Sequence, residues 1–194
     1  MIALLAVLSA SAAAGMRIAL PLLVIGLMQS DNLWSRVPIL SRISPPILLG
    51  VLTTWSLFEL FASKSLLGQR ILQIIQLLLS PIVGAIMSIT VAQFTDAAVE
   101  SVWLVGFVGG LFAFVLQLVQ VGWFYRLRGL PLWVVFIQDA LCVALVIFAF
   151  DAPHPGGLIA LFLLWLSVRS SRYWHRWYKG RHPSSPRPFP QKRD

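Results

Sequence analysis

Six apolar runs leave this chain little choice of architecture. They cover residues 2–28, 46–62, 71–94, 102–124, 131–150 and 156–168, and a helix needs about 20 apolar residues to cross a bilayer core. With 58% hydrophobic and 11% charged residues among 194, and a mean hydropathy of +0.83, the chain has too little polar surface to coat a soluble globule. The expected fold is all-α, a polytopic transmembrane helix bundle of six spans, or of five if the short last run does not cross. That run spans if its helix continues through Ser170 and Ser171 to Tyr173 and Trp174, with Arg169 and Arg172 snorkelling to the headgroups. Residues 1–14 also read as a signal peptide ending in small residues, although its leading segment carries no positive charge. The division is one transmembrane domain, residues 1–172, and a basic, proline-rich tail, residues 173–194.

Loop charges orient the bundle. Under six spans, Lys64, Arg70, Arg126, Arg128 and the tail share one side, and Arg36 and Arg42 lie opposite with Asp31, Asp96, Glu100 and Asp151. Twelve basic residues against two place both termini in the cytoplasm, of the plasma membrane or another internal membrane. The net charge of +8 would suit nucleic acid, but eight of the fifteen basic residues follow Val168 in a tail. There Tyr173, Trp174, Trp177 and Tyr178 interleave with Arg172, His175, Arg176, Lys179 and Arg181, a pattern for anionic lipid headgroups rather than nucleic acid. Pro183, Pro186, Pro188 and Pro190 leave the end without regular structure.

Ionisable residues inside apolar runs carry the functional signal. A charge near a bilayer centre costs about 2.5–3.5 kcal/mol even on lenient insertion scales, so it faces a partner, a ligand or internal water. Arg17 lies in the first run, Glu59 three residues from the end of the second, and Asp139 eight residues past Pro131 in the fifth. The leading structural expectation is an ion pair of Arg17 with Asp139 or with Glu59. Glu59, near the cytoplasmic surface, is expected to be partly hydrated. Lys64 follows it at i+5, on a different helix face, so a local bridge is not expected. These four residues are the candidate substrate or ion pathway: an anionic solute would suit Arg17, and a proton or cation the acids.

Two prolines sharpen this. Pro46 and Pro131 stand where helices begin and are tolerated there. Pro21 and Pro81 lie inside runs, where each removes a hydrogen bond and crowds the carbonyl four residues earlier, that of Arg17 and of Leu77. Both are expected to interrupt their spans, and paired broken helices point to a central site in transporter folds. The two prolines are sixty residues apart, with Glu59 aligning near Gln117 and Gln120, which suggests a weak internal repeat of helix pairs.

The remaining polar residues fit helix packing. Gln69, Arg70, Gln73, Gln76 and Ser80 form one stripe facing either the bundle or the interface, and Gln117 and Gln120 form a second pair able to bond across helices. Ser11 with Gly15, Ser80 with Gly84 and Ser88, and Gly106 with Gly110 are small-xxx-small ridges, whose partners lie in the same chain or in another subunit of a homo-oligomer or membrane complex. The lone Cys142 allows no intrachain disulfide and reads as packing. His154, His175 and His182 lack metal-ligand spacing, and no phosphate loop, dinucleotide fingerprint or serine elbow is present. No cofactor, metal or catalytic residue is expected, although Glu59 and Asp139 would be the acid and base of a lipid-modifying enzyme.

The segments 12–23 around Arg17, 57–64 around Glu59 and Lys64, 80–85 around Pro81 and 138–141 around Asp139 together resemble a bacterial membrane family catalogued as domain of unknown function 4126. The resemblance covers roughly residues 5–170. The chain departs from the family pattern at Met16 for an aromatic, Ser63 for an aspartate and Ser80 for an arginine. The resemblance implies a small multi-span protein, marks Arg17, Glu59, Lys64 and Pro81 as motif positions, and brings no activity with it. The expected function is a small transporter or channel-like protein. The alternative is a non-transporting scaffold or assembly factor in which the same residues form a buried ion-pair network.

Overall fold

The computed structural model describes residues 2–28, 44–62, 66–95, 102–127 and 131–180. Among them the chain forms seven helices: α1 (Ile2–Met16), α2 (Ala19–Met28), α3 (Pro45–Ala62), α4 (Leu66–Phe94), α5 (Val102–Leu127), α6 (Leu132–Asp151) and α7 (Pro153–Gly180). No strand occurs among the described residues. Of the six expected spans, three contain helices both long and apolar enough to cross a membrane, within α4, α5 and α6. α1 is apolar but shorter, at 15 residues or about 22 Å of helix.

α1 is the centre of the bundle. It packs against α4, α5, α6 and α7, and every residue from Ser9 to Met16 is buried. A helix touched on all sides has no room for bulk, and Ser9-Ala-Ser-Ala-Ala-Ala-Gly15 supplies almost none. Residues 1–14, readable as a signal peptide, thus largely form the innermost helix.

The first run is broken, but not at its proline. The backbone of Arg17 still donates to the Ala13 carbonyl at 3.1 Å, and the helix then stops at Arg17 and Ile18 and restarts at Ala19. Pro21 has no N–H to offer the Arg17 carbonyl. The break upstream puts the proline in the first turn of α2, where none is required. Packing partners change at the same point, from the four neighbours of α1 to α3 and α6 for α2.

Pro81 behaves differently from expectation. α4 runs unbroken for 29 residues with Pro81 inside it. Its surroundings explain the difference, because α4 is gripped along its length by α5 and α1, the most extensive contacts in the fold. Packing holds the turn that a missing hydrogen bond would loosen. The repeat suggested by the two prolines is therefore not reproduced in the helices that carry them.

Small residues set the grip. A Cβ on Gly84 would strike the side chain of Ala113, and one on Gly110 would come within 2.6 Å of the Pro81 carbonyl. Gly15 lies against the Ala113 backbone, and Gly106 lies against the side chain of Ile89. Ser11 and Ser88 share a hydrogen bond of 2.7 Å between α1 and α4. These ridges find partners within the chain.

Inside the bundle small and polar residues share an apolar core, and the outside is apolar. Trp103, Phe107, Leu111 and Leu118 are exposed along one side of α5, while Gly109, Gly110, Ala113 and Gln117 are buried on the other. This distribution is compatible with a membrane environment, where lipid tails cover apolar side chains. α7 continues through Gly180, so the first part of the tail, residues 173–180, is helical; residues 181–194 lie outside the described residues.

Overpacking a close crossing costs about 1–3 kcal/mol. Gly110→Val is expected to lower unfolding stability in detergent by about 2 kcal/mol or more. Gly122→Ala, in open space on the same helix, should leave it equal or slightly raised. Equal stability of the two variants would rule out the close α4–α5 crossing.

Candidate functional site

The interior face of α6 explains how the site assembles. Val135, Gln138, Asp139, Cys142, Leu145, Val146 and Ala149 recur at three- and four-residue spacing, so they form one stripe, and this stripe is turned toward α1. Ser9 donates to the Leu145 carbonyl at 2.7 Å, and the Cys142 thiol approaches the Ala13 carbonyl at 3.5 Å. The same stripe brings Gln138 and Asp139 to the C-terminal end of α1, where the helix breaks.

There Arg17 finds its counter-charge. Its Nε donates to Asp139 Oδ1 at 2.6 Å. The arginine is 6% exposed, so the pair is held in surroundings where an uncompensated charge would be costly. Position also helps: a cation at a helix C-terminus meets the negative end of the helix dipole. Gln138, the preceding residue, donates its amide to the Met16 carbonyl at 2.8 Å and to Gln120 Oε1 at 3.0 Å. It thus caps a carbonyl at the end of α1.

Glu59 is not the partner of Arg17. The carboxylate is 2% exposed, more buried than its place near the end of α3 suggests, which corrects the expectation of partial hydration. Its Oε1 accepts from Trp55 Nε1 at 3.1 Å and from Gln76 Nε2 at 3.2 Å, whereas its Oε2 has no hydrogen-bond partner. The charges of Arg17 and Asp139 nonetheless act on it electrostatically. Trp55 was not legible as a partner, although its i, i+4 spacing to Glu59 is the one at which helical side chains meet.

Glutamines join this carboxylate to the bundle. Gln117 Nε2 donates to Gln73 Oε1 at 3.2 Å and to Gln76 Oε1 at 3.4 Å. The α4 stripe therefore faces inward with Gln69, Gln73, Gln76 and Ser80 buried, and only Arg70 turns outward. Ser80, one turn beyond Gln76, is wholly buried and its hydroxyl has no partner. Side chains from α3, α4 and α5 thus form one polar cluster, and α5 and α6 contribute to a second at the end of α1. Pro21 is buried in the first turn of α2, after the break, and the Pro81 carbonyl faces Gly110. Lys64 lies outside the described residues.

Beside the ion pair, a cavity of about 320 Å³ opens between α5, α6 and α7. Its wall is apolar except for Gln120, Gln138 and Ser167, and Met16 reaches it from α1.

A family model described as Domain of unknown function (DUF4126) matches residues 4–173, from the first turn of α1 into α7. No curated protein matches the chain, and no solved structure does.

Leaving a buried acceptor unsatisfied costs about 1–3 kcal/mol. Gln138→Leu removes the donor to Met16 and the partner of Gln120. It should destabilise the protein by about that amount and speed amide exchange around residues 16–20. Unchanged exchange in that segment would show that the amide does not secure the end of α1.

Proposed function

From the premise that the chain belongs to the DUF4126 family, we propose that it is a small membrane transporter whose coupled or translocated species is a proton or small cation, bound at Glu59. The observation that carries this reading is the second oxygen of that carboxylate, buried and without a partner. A carboxylate taken from water with one oxygen unpaired is neutralised by whatever positive species can reach it, and in membrane proteins such groups mark ion pathways. Gln76 and Trp55 fix its orientation through Oε1 and leave Oε2 free to bind. Ser80 supplies a further unpartnered oxygen along the α4 stripe.

The broken first span supports the same reading. Interrupted helices beside a polar centre are the recurrent device of transporter sites, and α1 and α2 meet at Arg17 as the two halves of one crossing. Counting them so, with α3 to α7 as the others, gives six spans. The twelve-to-two distribution of basic residues then puts both termini in the cytoplasm. Arg17, already neutralised by Asp139, is a positioning residue here rather than a binding site for an anionic solute.

That ion pair also favours a second reading. Two charges that cancel need no ligand, so a non-transporting scaffold, docking a partner through its basic tail, would use Arg17 and Asp139 as architecture alone. Flux separates the two. Proteoliposomes of the full chain should carry protons, sodium or potassium down an imposed gradient, and Glu59→Gln should reduce flux to the level of empty liposomes while the protein remains folded. Absence of flux of all three ions in the parent, together with a constant co-purifying partner, would leave the scaffold.

A further inference from the structure

The cavity between α5, α6 and α7 has a direction. Val119 and Trp123 line it from α5, and Arg126 continues their stripe at i+7 and i+3, exposed at the end of the helix. α6 starts at that end, so its Val134, Ile137 and Gln138 line the same stretch. α7 runs back toward it, placing Leu163, Leu166 and Ser167 in the wall, with Arg169 next along the helix and held over the Trp165 ring at 5.1 Å. Trp123 Nε1 donates to Ser170 at 2.7 Å and ties α5 to α7 near this end. The open end of the apolar groove therefore lies near the exposed Arg126 and Arg169.

We propose that this groove binds one acyl chain of an anionic phospholipid, whose phosphate sits at the rim formed by Arg126 and Arg169. The shape favours a chain over a protein segment. A volume of about 320 Å³ is at the small end of ligand pockets, and a helix about 10 Å across would need a far wider bed. The wall is that of an acyl-chain site, with aliphatic and aromatic side chains over most of its area. Charge complementarity chooses the headgroup, since each basic residue at a membrane surface favours an anionic lipid by about fivefold. The chain lies against Gln138 and Met16, so the lipid buttresses the amide that caps α1 beside Arg17. Occupancy of the groove does not depend on transport at Glu59.

Native mass spectrometry tests the proposal on the full chain in detergent, equilibrated with equal amounts of dioleoyl phosphatidylglycerol and dioleoyl phosphatidylcholine. The parent should retain one phosphatidylglycerol in preference to phosphatidylcholine. Val119→Trp fills the groove from α5 and Leu163→Trp from α7, and each should lose the bound lipid while remaining folded. Arg126→Gln combined with Arg169→Gln, both at exposed positions, should keep a lipid and lose the headgroup preference. Retention of phosphatidylglycerol at the parent level in a folded groove-filled variant overturns the proposal. So does equal binding of the two lipids by the parent, or loss of a dimer rather than of lipid on filling the groove. Should both filled variants fail to fold, an unchanged headgroup preference in the double arginine variant overturns it.

Discussion

A guanidinium and a carboxylate meet where a helix stops, and much of the interior is arranged around that meeting. Arg17 could not occupy the core without Asp139 at 2.6 Å, because a lone charge in such surroundings costs more than the bundle could spare. Asp139 in turn reaches it only because the α6 stripe is pressed on α1. The break in the first span is part of the same arrangement. It lets the chain turn from the four neighbours of α1 to α3 and α6 while the arginine stays at the joint.

What permits that closeness is the absence of bulk. α1 is buried by four helices because its inner residues are alanine, serine and glycine, and α4 can cross α5 because Gly84 and Gly110 let backbone and side chain touch. Hydroxyls and amides then fasten what packing alone would leave free to slide, as Ser11 does with Ser88 and Gln117 with Gln73. One carboxylate stands apart from this accounting. Glu59 is anchored through a single oxygen, and the other, like the Ser56 and Ser80 hydroxyls, is buried without a hydrogen-bond partner among the described residues.

The sequence made some of this legible and hid the rest for physical reasons. Apolar run length predicted helices for the four middle runs at nearly the observed bounds, whereas the first run forms two helices and α7 extends well past the last run. The pairing of Arg17 was readable as a need but not as a choice: Asp139 and Glu59 both offer a carboxyl group, and only helix packing decides between them. The two prolines looked alike in sequence and differ in effect, since tertiary grip, which no local pattern encodes, keeps α4 whole. The groove between α5, α6 and α7 was not legible at all, as its wall comes from three helices whose apolar faces look like ordinary lipid contacts. Trp55 and Gln138 were visible residues whose roles depend on what stands opposite them.

The coupling between Arg17 and Asp139 holds the broken helix and the site together, and a double-mutant cycle measures it. Unfolding free energies in detergent would be compared for the parent, Arg17→Met, Asp139→Leu and the double variant. If the pair is what holds the charge in place, each single change should cost about 3–5 kcal/mol and the double change much less than their sum. Additive losses, with a coupling near zero, would contradict an ion pair at the broken helix and the site built around it.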